Sequence, residues 1–204
     1  MSGPTTPVRI ALEHLCTGTV APLVAEGRRF TSAIGKRPRG EAVAVSALGL
    51  AGDEQADLSV HGGLSKALYA WPVQHTAWWQ AQRRERGASL FDEALPAGFF
   101  GENLGLRGVD APLEEAQVFV GDTLHFPDAV LRVTEPRQPC FKFAAVMGYP
   151  QAGKDMVLSR RCGFYLAVVQ AGTLQAGQVG ELHPGPRGLS IAEALHAQRF
   201  KHLR

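Results

Sequence analysis

Glycine and proline interrupt this chain so often that its apolar residues are left in short runs. There are 23 Gly and 13 Pro among 204 residues. Each permits a sharp turn or ends regular backbone hydrogen bonding. The stretches between them read as strands: Val8–Leu12, Val43–Leu48, Val118–Val120, Thr123–Phe126, Val130–Thr134 and Phe164–Gln170. They are rich in Val, Leu and Phe, and several alternate with a period of two. Gly121-Asp122, Gly172-Thr173 and Gly177-Gln178 read as turns between them. Short strands joined by glycine turns favour a mainly β barrel or sandwich over a doubly wound parallel sheet. Two helices are predicted. One spans Trp71–Gly87 with Pro72 in its first turn. The other spans Ser190–Leu203, where Ser190 and Glu193 form an S-x-x-E capping box. It follows the break Pro184-Gly185-Pro186-Arg187-Gly188 and reads as an appendage to the core.

Several classes of protein are excluded. No run approaches the roughly 18 apolar residues of a membrane span. The start, Met1–Ile10, has neither a basic n-region nor an apolar h-region, so a secretory leader is not expected. Three cysteines, Cys16, Cys140 and Cys162, are too few and too odd for a disulfide framework. A reducing cytoplasm is the expected setting. Twenty-one basic against 19 acidic residues leave a net charge of +2, which argues for neither nucleic acid nor a membrane surface as partner. A chain of this length buries roughly 70% of its unfolded surface, so its core needs no structural metal.

Three stretches are denser in polar and reactive residues than a β core requires. Phe30–Gly40 gathers Lys36, Arg37 and Arg39, with Arg28 and Arg29 upstream, in a loop containing Gly and Pro. It reads either as a phosphate-binding loop or as a solvated basic loop. Gly49–Gly63 places Asp53, Glu54, Gln55, Asp57 and His61 between glycines. Asp53, Asp57 and His61 are four apart, but the glycines argue against a helix that would align them. The carboxylates either fix an imidazole tautomer or simply hydrogen-bond within a polar turn. The third stretch, Thr134–Phe143, holds Cys140 after Pro136 and Pro139, with Arg137 and Lys142 close in sequence. Cations near a thiol favour the thiolate, the form that binds metals, although a lone cysteine also serves as a small apolar core residue. Gly101-Glu102-Asn103-Leu104 reads as a buried turn. Cys16 and Cys162 read as packing residues.

Taken in order, Thr31–Lys36, Gly52–Asp57, His61-Gly62-Gly63, Gly101–Leu104, Gly121-Asp122 and Pro136–Cys140 resemble the MOSC domain family, named after the C-terminal domain of molybdenum cofactor sulfurase. The likeness is to its stand-alone YiiM-like branch and runs from about Phe30 to Leu182. It implies a MOSC-type β-barrel with a few peripheral helices. Residues 1–29 would join the barrel, 30–183 form the domain core, and 184–204 supply a hinge and one C-terminal helix, the first of a family trio. It also implies binding of molybdenum cofactor (molybdopterin), with Cys140 as molybdenum ligand. Lys36 would contact the pterin and its phosphate, and His61, Asn103 and Arg137 would line the same cleft. Cys140, His61 and Asp53 are the candidate catalytic groups, with Asp53, Gln55 and Asp57 either buttressing the cleft or supplying protons. Relatives in the family reduce N-hydroxylated compounds, including nucleobases such as 6-hydroxylaminopurine. The expected activity is therefore a molybdenum-dependent N-hydroxyl reductase drawing electrons from a separate flavoprotein. A carrier module holding sulfur or cofactor on Cys140 without turnover is the alternative. Pyridoxal phosphate, a family-level association, is not expected here.

Overall fold

The computed structural model describes residues 5–25, 27–56, 62–90 and 93–199. Its strands are β1 (Val8–Thr17), β2 (Ala21–Ala25), β3 (Arg28–Ser32), β4 (Arg37–Pro38), β5 (Val43–Ser46), β6 (Gly49–Leu50), β7 (Leu68–Pro72), β8 (Leu104–Gly108), β9 (Thr123–His125), β10 (Val130–Pro136), β11 (Phe164–Gln170), β12 (Gly172–Leu174) and β13 (Val179–His183). The helices are α1 (His75–Glu85), α2 (Phe141–Met147), α3 (Ala152–Ser159) and α4 (Ile191–Arg199). A single 3-10 turn, Leu64–Lys66, precedes β7.

Seven strands close on themselves in the order β1-β13-β9-β10-β11-β7-β8 and back to β1, with β4 flanking the end of β1. Closure removes the unpaired edges that an open sheet would expose. The ten residues of β1 make it possible. Val8–Ala11 pair with β13, Ile10–Leu15 with β8, and Cys16-Thr17 with β4. A register shift between Leu12 and His14 bends the strand from one neighbour to the next. Ile10, Leu12, Leu106, Leu131 and Leu166 are fully buried inside the barrel. At one side the core becomes aromatic: Trp71 stacks on Phe100 at 4.0 Å, and Trp79 meets Phe143 edge-on at 5.2 Å. Outside the barrel, β5, β6 and β12 form a small sheet and β2–β3 a hairpin.

The mainly β barrel is as expected, but several elements differ. Trp71 and Pro72 end β7, whose five residues are all buried, and the helix begins only at His75. A wholly buried strand carries no alternation, and Pro72 is tolerated because it ends the strand. Val118–Val120 is not a strand; Phe119 makes one isolated bridge, to Ser190. Gly172-Thr173 is not a turn but pairs in β12 with Val45 and Ala44. The C-terminal helix starts as its capping box dictates, with Glu193 N donating to Ser190 Oγ at 3.2 Å and Ser190 N to Glu193 Oε2 at 2.9 Å. It is no appendage. Ile191 and Leu195 are buried in the core, and Ile191 N donates to Val118 O at 2.8 Å. No helix among the described residues is long and apolar enough to cross a membrane.

The join between the barrel and α4 turns on Asp122, whose residue is 1% exposed. Its carboxylate accepts from Phe119 N at 2.8 Å and Gly185 N at 2.7 Å and pairs with Arg187, whose guanidinium lies over the Phe119 ring. Asp122→Ala strands two N–H donors and a cation, an expected loss of about 3 kcal/mol. In a chain of this size that lowers the melting temperature by roughly 6–12 °C. A calorimetric change near zero would contradict this role.

Candidate functional site

A cleft with about 670 Å³ of open space lies at the barrel mouth, between residues 32–36, the turn 53–56, the 3-10 turn and the start of α2. Of the predicted residues it brings together Lys36, Asp53, Gln55, Asn103, Arg137 and Cys140. His61 and Asp57 lie outside the described residues. Lys66, Tyr69, Phe100, Lys142 and Tyr165 also face it.

Its floor is a buried polar relay. Asn103, 3% exposed, precedes β8 and links three segments. Its Nδ2 donates to Cys16 O at 3.2 Å and to Asp53 Oδ2 at 2.9 Å, while Oδ1 accepts from Tyr69 N at 3.0 Å. Asp53 Oδ1 accepts from Gly18 N at 2.8 Å and holds the ammonium of Lys36. The Lys36 and Asp53 side chains are 7% and 4% exposed, so this pair is shielded from solvent screening. Both Asp53 oxygens are thus committed to protein donors, which suits a group that positions Lys36. Gln55 braces a neighbouring turn, its Oε1 accepting from Gly63 N at 2.8 Å.

Close backbone approach shapes one wall. Gly98 has φ +85°, and a Cβ there would lie 2.3 Å from Lys36 O. Glu102, 1% exposed, fixes this wall by accepting from Gly98 N at 2.6 Å and Phe100 N at 3.0 Å, while His14 Nε2 lies 3.0 Å from it.

The opposite wall carries the thiol. β10 delivers Arg137, and Cys140 occupies the N-cap of α2, half-buried. The Arg137 guanidinium lies 5.0 Å from the Tyr69 ring centroid and 4.7 Å from that of Phe143. Its residue is 5% exposed and its Nη1 has no hydrogen-bond partner in the protein. A buried guanidinium with an unused donor in a cleft is suited to an anion. Lys142, also at the cleft, donates to Thr31 O at 2.7 Å. The basic cluster seen in sequence therefore divides: Lys36 enters the cleft, Arg39 pairs with Glu41, and Arg28 and Arg29 lie exposed on β3.

The other two thiols are inert. Cys16 and Cys162 have no accessible surface. Burial, reinforced by Glu102, pushes the Cys16 thiol up to about 12. Burial beside Glu115 pushes Cys162 well up too. Sequence reasoning missed Lys66, Tyr69 and Tyr165. The two tyrosines come from β7 and β11, where they occupy paired positions of the same register.

Fold and cleft define a β-barrel protein with a cation-lined, thiol-bearing pocket. The chain belongs to the MOSC domain family, whose model matches residues 57–180. YflK of Bacillus subtilis is 34% identical over 188 residues, covering 90% of this chain and 78% of its own length. YiiM of Escherichia coli is 33% identical over 163 residues, 80% and 69% respectively. A Gibberella moniliformis chain named as a reductase is 34% identical over 161 residues, 78% of this chain but 27% of its own. The crystal structure of YiiM from Geobacillus stearothermophilus matches with a TM-score of 0.72 at 29% identity, over 96% of this chain and 86% of that one.

Exposure and burial together predict a selective thiol. In the native protein at neutral pH, iodoacetamide is expected to label Cys140 alone. Raising the pH towards about 10 still leaves Cys16 a thiol, because deprotonation becomes appreciable only near its raised pKa. Peptide mapping by mass spectrometry that found label on Cys16 or Cys162 before unfolding would contradict this assignment.

Proposed function

We propose that this chain binds molybdenum cofactor in the cleft and reduces N-hydroxylated compounds, nucleobases among them, with electrons from a separate flavoprotein. The observation that carries the reading is the unused Nη1 of buried Arg137 in the cleft that also holds the Cys140 thiol. The donor set fits the cofactor: a thiolate for a soft metal, and guanidinium and ammonium groups for a phosphorylated pterin. Family membership and the relative named as a reductase support the same class of activity. The three free thiols support a cytoplasmic setting.

When bound, the cofactor supplies two-electron redox chemistry at molybdenum. The chain's residues do the rest. Cys140 anchors the metal through sulfur. Arg137, braced by Tyr69 and Phe143, and Lys36, braced by Asp53, orient the anionic part of the cofactor. Cleaving an N–OH bond to N–H consumes two protons and two electrons and releases water. Tyr165 faces the cleft, and burial pushes its phenol up despite nearby Arg137, so its Oη stays protonated and can donate. Phe100 and Tyr69 exclude water from the inner end.

After expression in a cofactor-producing host, elemental analysis is expected to find molybdenum near stoichiometry in the wild type and none retained by Cys140→Ala. Equal metal in both would sink the ligand assignment. A loaded protein inert towards every N-hydroxylated base with a dye donor would favour the carrier reading. For Arg137→Met, occupancy is expected to fall about tenfold. Stability of the empty protein should change by less than about 1 kcal/mol, since loss of the two ring contacts offsets removal of a buried charge. Full occupancy in that variant would contradict the role given to Arg137.

A further inference from the structure

Arg137 stands one residue past the end of regular structure. Pro136 ends β10 and pairs with Phe164, the first residue of β11. Beyond that pair the ladder continues by one main-chain contact, Arg137 N donating to Gly163 O at 3.3 Å. The Tyr69 ring, 5.0 Å from the guanidinium, is fixed by the neighbouring carbonyl: Tyr69 Oη donates to Cys162 O at 2.8 Å. Two consecutive carbonyls, of Cys162 and Gly163, thus place both the main chain of Arg137 and a ring its guanidinium lies over. Whatever holds residues 162 and 163 sets the geometry of the cleft.

The group that holds them is Glu115, in the connection between β8 and β9. It is buried and does not face the cleft. Its Oε1 accepts from Cys162 N at 3.0 Å and from Gly163 N at 2.8 Å. Its Oε2 lies 2.6 Å from Nε2 of His75, the buried first residue of α1. Both oxygens are therefore committed within the protein. A carboxylate that accepts from two successive N–H groups polarises those peptide units and strengthens their carbonyls as acceptors. Gly163 permits the close approach, with φ +65° and a Cβ that would lie 2.3 Å from Ala70 O, so the turn lies directly against the backbone of β7. The main chain of Glu115 is anchored in turn, its carbonyl accepting from Ala192 N of α4 at 3.1 Å.

We propose that Glu115 is a positioning residue for the anion site of the cleft. Through Cys162 and Gly163 it fixes the Tyr69 ring and the Arg137 main chain, so that the unused Nη1 of Arg137 stands in place before a ligand arrives. The assignment rests on the reading of Arg137 as the contact for an anionic group. A guanidinium held in its bound position has little conformational freedom left to lose on binding, whereas one on a loosened turn must be ordered by the ligand. A carboxylate that served the fold alone would raise the melting temperature and leave the anion affinity of the folded protein untouched.

The test uses the full chain without cofactor and inorganic phosphate as the probe, with binding measured by calorimetry well below the melting temperature of each variant. Wild type is expected to bind phosphate and Arg137→Met to bind it at least about tenfold more weakly. In Glu115→Ala the phosphate Kd should rise about tenfold. Glu115→Gln, which keeps an oxygen for both N–H groups, should stay within about twofold of wild type. Nitrogen-15 NMR reads the same effect directly. The Arg137 guanidinium should show separate Nη proton signals in wild type and Glu115→Gln, and averaged ones in Glu115→Ala. If Glu115→Ala does not fold, Glu115→Asp keeps the charge but falls one methylene short of the two N–H groups, and its phosphate Kd should rise severalfold. A phosphate Kd equal to wild type in folded Glu115→Ala, or in Glu115→Asp, would overturn the positioning role even if the melting temperature fell. Failure of wild type to bind phosphate, or undiminished binding by Arg137→Met, would instead overturn the reading of Arg137 beneath it.

Discussion

A single buried side-chain amide ties the barrel to the cleft. Asn103 reaches β1 through Cys16 O, β7 through Tyr69 N, and the 53–56 turn through Asp53. Its backbone repeats two of these links, with Cys16 N donating to Asn103 O at 2.7 Å and Asn103 N to Tyr69 O at 2.8 Å. Such a group is costly to bury unless every donor and acceptor is met, and here each is met by a different segment. Through Asp53 the constraint passes to Lys36, and through Tyr69 to Arg137. The cations of the cleft therefore stand on a rigid base, as a preorganised anion site requires.

Arg137 and Cys140 depend on a second arrangement. β10 ends at Pro136 and α2 begins at Phe141, so the four residues between them are held at both ends by regular structure. The Arg137 guanidinium is trapped between rings of β7 and α2, and Trp79 and Phe143 bring that aromatic layer up to the cleft. The same α2 turns its exposed Phe141 side to the hairpin.

Much of this was readable from the sequence. Cys140, Arg137, Asn103, Asp53 and Lys36 lie where polar and reactive groups crowd between glycines and prolines. Residue types alone left a solvated loop, a polar turn or a packing thiol open there; the family resemblance singled them out, and the structure gathers them in one cleft. The start of α4 was readable because capping is local chemistry. Its burial was not, since an amphipathic pattern does not say which surface will cover the apolar face. β8 escaped notice because Gly105 resembles a turn signal. In fact a Cβ there would lie 2.1 Å from the His14 ring, so the glycine serves a neighbour across the sheet. Lys66 enters the site from a turn of three residues, too short to show any period. Tyr69 and Tyr165 sit in apolar runs whose pairing no local pattern reveals.

The central claim is that the Cys140 sulfur is bonded to molybdenum in a cleft whose cations hold the cofactor's anionic part. Molybdenum K-edge X-ray absorption on the loaded protein addresses it most directly. The account predicts one more sulfur neighbour of molybdenum in the wild type than in Cys140→Ser, with any residual metal in the variant bound by lighter atoms in its place. Identical sulfur coordination in the two proteins would contradict it.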